Sequence, residues 1–362
     1  MSRFAILTSH LKTGDAIGND VLGMCRILEK HGHEPRMYAQ DTDFENHKVW
    51  PLGEISDFLR DPDDVFMYHH SIGWETGISL LQQLRCRKVV RYHNVTPPEF
   101  FAGISKWHEE RCAEGQRQLE AIVAAGCDLY LSASEYNSQD FLRLGVSAAR
   151  SFVVPPLNQL DALQSTPADL DVVDAYRDGK ANILSVGKVA PHKNQAALIE
   201  AFAIYHHDHN FRSRLLIVGR EDEPFKSYST RLRELVKFLC LEDSVVFAGE
   251  LSDQALKACY LLSNVFMLAS NHEGFSVPLV EAMALKVPIV SYGVAAVPET
   301  VGDAGIILEK RDPALMAQAV NLLVEDEAMN VALGIKGRVR YEQCFTNAKI
   351  ETRFLRALGS LN

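Results

Sequence analysis

The stretch NVFMLASNHEGFSVPLVEAMALKVPIVSYG, residues 264–293, decides the fold. NVFMLAS (264–270) and PIVSY (288–292) read as short, apolar, β-rich strands, and the segment between them reads as a helix entered through a loop. Pro278 suits the first helical position, where a missing N–H costs nothing. That places Glu273 on the loop and Glu281 in the first turn. The free N–H groups near Gly274 to Val277, with the positive end of the helix dipole, suit an anion. Gly274 would let a ligand approach the backbone closely.

The same alternation extends in both directions. Toward the N-terminus lie strands ANILSVG (181–187), RLLIVG (214–219) and SVVFAG (244–249), separated by helices at 194–207, 228–241 and 252–263. Past a polar segment that runs from PPLN (155–158) to about Lys180, an earlier series appears: FAILTS (4–9), EPRMYA (34–39), DVFMYHH (64–70), KVVRYHN (88–94), CDLYLSAS (127–134) and SFVVP (151–155). Helical stretches at 20–32 and 75–85 fall between them, and from Asp312 onward the pattern is almost wholly helical. Strand–helix–strand alternation implies parallel sheets covered on both faces. The reading is α/β, with two doubly wound Rossmann-like domains facing across a cleft. Ligands in such sheets bind beyond the carboxyl ends of the strands.

Composition supports this. A chain of 362 residues, 47% hydrophobic and 23% charged, is globular and long enough for two domains. Against 37 Lys and Arg stand 47 Asp and Glu, a net charge of −10 that argues against a nucleic-acid partner. The seven cysteines are odd in number and never spaced CxxC, so they read as reduced thiols. The N-terminus lacks a secretory signal, and no apolar run reaches the roughly 18 residues of a membrane span. A cytoplasmic protein is expected, compatible with peripheral contact at the inner face of a membrane.

Walker A, GxGxxG after the first strand and GxSxG are all absent, which weakens NTPase, dehydrogenase and serine-hydrolase readings. Asp-x-Asp occurs at Asp41/Asp43, Asp61/Asp63 and Asp169/Asp171 and could hold a divalent metal, but such triplets arise by chance in an acidic chain. His206, His207 and His209 read as a solvated helix end rather than a metal cluster. Either glutamate of the 271–293 segment alone would serve the helix dipole or stand in solvent. Together, seven residues apart at a strand-to-helix switch, they point to a site.

The segment resembles the glutamate, seven residues, glutamate motif of retaining glycosyltransferases of family 4, the two-Rossmann-domain GT-B type. The resemblance runs through SVGKVAPHKNQAALIEAF (185–202), LLIVGRED (215–222), the stretch 245–270 and VPETVGDAGIIL (297–308). More loosely, RYHNVTPPEFF (91–101) and MYHHSIG (67–73) resemble members acting in bacterial surface or exopolysaccharide assembly. It implies an N-terminal, acceptor-side domain over 1–160, with a C-terminal helix (343–362) packing back on it, and a nucleotide-sugar donor domain over 161–342.

By this resemblance Glu273 accepts hydrogen bonds from the donor sugar and Glu281 grips the ribose. Gly274, Phe275, Ser276 and Val277 offer backbone N–H groups, and Gly219, Arg220, Glu250 and Leu251 complete the donor-binding set. The family places Arg and, five residues later, Lys against the diphosphate; here Lys188 and Lys193 stand there, so the first loses the bidentate fork. In the first domain Gly14 and Asp15 of TGDAIGN (13–19) would approach the donor; the alternative is an ordinary loop ending in a helix cap at Asn19 or Asp20. His93, ending the strand KVVRYHN, would bond the hexose or lie near the acceptor oxygen, with His70 a weaker candidate.

The implied enzyme is a metal-independent, retaining hexosyltransferase that needs no cofactor. Its donor would be UDP-glucose, or failing that GDP-mannose, and its acceptor a saccharide or lipid-linked saccharide in polysaccharide biosynthesis. A nucleotide-sugar epimerase of the same plan and a non-catalytic sugar-binding protein are the alternatives.

Overall fold

The computed structural model describes residues 2–361. The chain divides into two compact units: the first takes the chain up to Glu99, Trp107–Gln159 and everything from Asn347 on, and the second takes Phe100–Lys106 and Leu160–Thr346.

In the first unit the strands are β1 (Arg3–Leu11), β2 (Glu34–Thr42), β3 (Val49–Trp50), β4 (Val65–His70), β5 (Arg87–Tyr92), β6 (Leu129–Ser132) and β7 (Ser151–Val153). They form one parallel sheet in the order β3-β2-β1-β4-β5-β6-β7. The two-residue β3 is an edge strand too short to show periodicity. β4 is buried along its whole length, as expected of a strand covered on both faces. The helix Ala16–Lys30 opens four residues earlier than its apolar pattern predicts. Its cap is Asp15, which accepts from the Gly18 amide at 2.5 Å, rather than Asn19 or Asp20. It stops where Gly32, at φ 78°, turns the chain into the left-handed region. The helix Asn347–Gly359 sends Ile350, Phe354 and Ala357 into the core formed by Ile6, Leu28, Met67 and Leu131.

The second unit has β8 (Ala181–Val186), β9 (Ser213–Val218), β10 (Val245–Gly249), β11 (Val265–Leu268), β12 (Ile289–Tyr292) and β13 (Gly305–Leu308), parallel in the order β10-β9-β8-β11-β12-β13. β13 is an edge strand that the sequence pattern does not single out. The polar segment before Lys180 is not a plain linker: it contains the short helices Leu160–Ser165 and Leu170–Tyr176. Asp169 caps the second through the amides of Asp171 and Val172. The helix Gln195–Ile204 runs into a wide turn over Tyr205–His209. Among the described residues no helix is long and apolar enough to cross a membrane.

Candidate functional site

Of the predicted site, the part in the second unit gathers at the carboxyl ends of β8, β9, β10 and β11. Beyond β8 the chain passes Gly187, Lys188 and a 3-10 turn, Pro191–Lys193, before Asn194 enters the left-handed region at φ 52°. Lys193 thereby points its ammonium at both oxygens of Glu273, with Nζ 2.7 and 2.8 Å from Oε1 and Oε2. Ser270, the last residue of the NVFMLAS run, donates its hydroxyl to Oε1 at 2.7 Å. Glu273 is only 5% exposed, so its charge is held by a cation and a hydroxyl rather than by water. Its backbone carbonyl also accepts from the Ala296 amide at 3.1 Å.

Ser276 leads into the helix Val277–Ala284 at φ 75°, a left-handed conformation that costs a non-glycine residue and persists only where the surroundings impose it. The N–H groups of Phe275, Ser276 and Val277 donate to no other described residue, and the Ser276 hydroxyl is buried without a partner. These groups lie next to Glu273 at the start of a helix, where donors and dipole together suit an anion. The Phe275 ring itself is core, edge-on to Phe345 at 5.6 Å. Two details differ from the sequence reading. Pro278 is the second helical residue, and Glu281 opens the second turn, beyond the orphan amides.

Glu281 is instead held by Tyr260, which the sequence reading did not identify. From the helix Asp253–Leu262, the Tyr260 hydroxyl donates to Glu281 Oε2 at 2.7 Å. Burial raises the carboxyl's pKa, the Tyr260 bond pulls it back in part, and the Asp253 charge adds to the rise. Lys188 does not stand in solvent. Its ammonium pairs with Asp222, which also takes Arg220 Nε at 2.8 Å, and it lies 5.0 Å over the Phe225 ring. Partial burial works to raise the Asp222 pKa, but the Lys188 bond and the charges of Lys188 and Arg220 outweigh it and leave it below the ordinary range. Glu250 is exposed and Leu251 half-buried beyond β10.

Gly219 fixes the spacing of these loops. Its N–H donates to Gly249 O at 2.8 Å, its φ is 147°, and a Cβ there would run into the Gly187 carbonyl. Gly219→Ala should therefore cost more than about 1 kcal/mol, read as a lowered melting temperature, and should weaken ligand binding at the Lys188 loop.

In the first unit, Gly14 takes φ 78° in the loop after β1, and the Asp15 carboxylate is committed to the Gly18 amide. His93 follows β5 by one residue, ahead of Asn94 at φ 76°. Its Nε2 is 2.9 Å from His69 Nδ1 and 3.7 Å from Asp20 Oδ2. Asp20 lies fully buried in an ion pair with Arg91 (2.8 Å), another contact invisible in the local sequence. Asp20, His69 and His93 bring ligand-type atoms within 4.8 Å of one another, but the Arg91 guanidinium already supplies the positive charge that an ion would bring. His70 is no ligand candidate. It is wholly buried, with Nε2 on Gly115 O (2.9 Å) and Nδ1 on the Tyr68 hydroxyl (3.2 Å), and burial lowers its pKa to about 4.

The Asp-x-Asp triplets are spent locally: Asp41 pairs with Lys12, Asp43 accepts from Thr13, Asp61 and Asp63 shape a turn, and Asp169 caps a helix. His206 bonds Ser213 and His207 bonds Leu239 O, so the histidine group shares no common centre.

The profile of the family described as glycosyl transferases group 1 matches residues 171–340. The chain is 28% identical to the O-antigen chain mannosyltransferase B of Escherichia coli, covering 83% of this chain and 75% of that protein. It is 24% identical to the N-acetyl-alpha-D-glucosaminyl L-malate synthase of Bacillus anthracis, covering 93% and 92%. Among solved structures, sucrose-phosphate synthase from Thermosynechococcus elongatus superposes with a TM-score of 0.79 at 20% identity, covering 100% of this chain and 99% of that one. Anabaena HepE in complex with UDP-glucose does so with a TM-score of 0.77 at 17% identity, covering 99% and 100%. The group 1 profile thus spans the Lys193–Glu273 site, the chain is similar to glycosyltransferases over most of its length, and it shares the two-domain GT-B fold of the solved structures.

Proposed function

We propose that this glycosyltransferase is a retaining enzyme that moves a hexose from a nucleotide-diphosphate sugar to a hydroxyl of a saccharide or lipid-linked saccharide during polysaccharide assembly. The observation that carries the reading is the bidentate Lys193–Glu273 pair beside three unpartnered amides. Breaking the bond between the anomeric carbon and the phosphate oxygen leaves positive charge on the sugar and builds negative charge on the diphosphate. Lys193, Lys188 and the amides of 275–277 offer charge and dipoles for the second, and the Glu273 carboxylate suits the sugar. These cations belong to the chain, so the reading requires no metal. The acceptor attacks from the face the diphosphate leaves, and the departing phosphate oxygen takes the acceptor's proton. The second unit is the donor side and the first the acceptor side.

UDP-glucose is the first donor to test, a choice supported by the HepE complex, and GDP-mannose the second, supported by the mannosyltransferase relative. Release of free nucleotide only when an acceptor is present supports transfer. Conversion of the donor with no acceptor would instead identify an epimerase, and tight binding without turnover a sugar-binding protein.

In this reading Glu281 holds the ribose hydroxyls as an ionised acceptor, a form present above its pKa and lost as pH falls through it. Tyr260→Phe removes the one contact that lowers that pKa, so the loss moves to higher pH. The donor KM of the variant should rise more steeply than that of the wild type between about pH 8 and 5.5, with kcat little changed. Parallel KM–pH curves for the two proteins would remove Glu281 from the donor site.

A further inference from the structure

After β5 the chain leaves the first unit for seven residues, Phe100–Lys106, that belong by their contacts to the second. Pro97 and Pro98 stiffen the approach, and a 3-10 turn over Pro98–Phe101 ends it. The Phe101 carbonyl then accepts from the amides of Ile104 and Ser105, both at 3.0 Å, and Gly103, at φ 70°, lets the chain turn back. Of the seven residues only Phe101 is buried, at 3% exposure. The turn thus delivers a single side chain to the interior of the second unit.

That side chain packs on the loops that carry both cations of the site. Phe101 stacks on Phe225, with centroids 5.8 Å apart and 17° between the planes. Phe225, 1% exposed, closes the 3-10 turn Glu223–Phe225 beyond β9, and its ring lies 5.0 Å from the Lys188 ammonium. Edge-on, Phe101 also meets the ring of His192 at 5.7 Å and 63°. His192 precedes Lys193 in the turn Pro191–Lys193, and its carbonyl accepts from the Asn271 amide at 2.8 Å, on the loop that leads to Glu273.

Of the two cations, Lys188 depends more on this support. Its ammonium is a point charge on a flexible four-carbon stem, without the planar fork by which arginine orients itself on phosphate. Lys193 is fixed by both oxygens of Glu273, whereas Lys188 rests on Asp222, which it shares with Arg220, and on the face of Phe225. A ring attracts a cation through its face, so a ring free to tilt loses its hold. Stacking on Phe101 fixes the plane of Phe225.

We infer that Phe101 is a positioning residue for donor binding: it holds the Phe225 ring against Lys188, so that the ammonium already stands where the diphosphate arrives. Phe101 offers the donor no group of its own and acts through Lys188. The packing stands on its own geometry; its use toward a diphosphate rests on the transferase reading above.

The test is a double-mutant cycle on the full-length protein, with UDP titrated by calorimetry and GDP taken where UDP does not bind. Phe101→Ala should weaken binding about fivefold to tenfold and Lys188→Ala at least about tenfold. The double variant should bind no worse than Lys188→Ala alone, since the ring acts through that ammonium. Wild-type affinity in Phe101→Ala, or losses that multiply in the double variant, would overturn the inference. Phe101→Leu keeps a buried apolar side chain but offers no plane for stacking, so it should melt close to wild type and still lose about threefold in affinity. It replaces Phe101→Ala in the cycle should that variant not fold, and wild-type affinity in it would overturn the inference equally. Acylation by limiting acetic anhydride, read by mass spectrometry, reports on the ammonium without any nucleotide. Lys188, 34% exposed, should react severalfold faster in Phe101→Leu than in the wild type, with Lys226, 74% exposed, unchanged. An unchanged Lys188 rate would remove Phe101 from its role. A faster Lys188 in a protein that binds neither UDP nor GDP would sink the transferase reading and leave the support of Lys188 by Phe101 standing.

Discussion

Lys193→Ala is expected to lower kcat by about a hundredfold to a thousandfold while leaving the donor KM much closer to wild type. The ammonium sits 2.7 and 2.8 Å from the two oxygens of Glu273, so in the free enzyme its charge is already partly used. The arriving diphosphate shares it, and the demand grows as the glycosidic bond to phosphate breaks, which is why the loss should fall on kcat. The same substitution strands a carboxylate that is 5% exposed, and stranding one member of a buried pair costs stability. Lys193 is itself 21% exposed, so that cost should fall below the fully buried case. Pairing the change with Glu273→Ala separates the two effects. The double variant should regain melting temperature and none of the lost rate. A folded Lys193→Ala enzyme with wild-type kcat in steady-state assays would be incompatible with the proposed leaving-group role.

The largest stability effect is expected in the first unit. Asp20→Ala leaves the Arg91 guanidinium at 0% exposure with no counter-charge and an Nη2 that already lacks a partner. Breaking a buried pair in this way costs about 3–5 kcal/mol, more than most core truncations of similar size. Calorimetry should show the transition of the first unit falling by about 6–20 °C, with the second unit's transition in place. Replacing both partners, as in Asp20→Ala with Arg91→Met, should restore much of the loss, because the stranded charge and not the missing contact dominates. Equal melting curves for wild type and Asp20→Ala would mean that the pair is not buried in solution.

The parallel sheets were legible because buried strands carry continuous apolar runs, such as VFMY (65–68) and LLIV (215–218), set between helical periods. Edge elements were not: VW at 49–50 has no room for a period, and Gly305–Leu308 is half-buried throughout. The helices at 160–176 escaped for a similar reason: the first is six residues long and buries only Leu160 and Leu163, too few to show a period, and the second buries none, with Leu170 73% exposed. At the site, Glu273 and Lys193 could be named from their loops, but their contact spans 80 positions and depends on how β8 and β11 pair. Tyr260 and Asp20 were hidden by their settings. One sits in an ordinary amphipathic helix and the other looks like a cap, and only tertiary packing sets them against Glu281 and Arg91.

The helix Asn347–Gly359 lends Ile350, Phe354 and Ala357 to a hydrophobic core begun by Phe4 and Ile6. During synthesis the opening domain therefore emerges with a gap in its interior that is closed only when Asn347–Gly359 follows, almost two hundred residues after Gln159. Until then apolar surface stays uncovered, so nascent chains stalled before Asn347 should attract chaperones and aggregate more readily than those extended past Gly359.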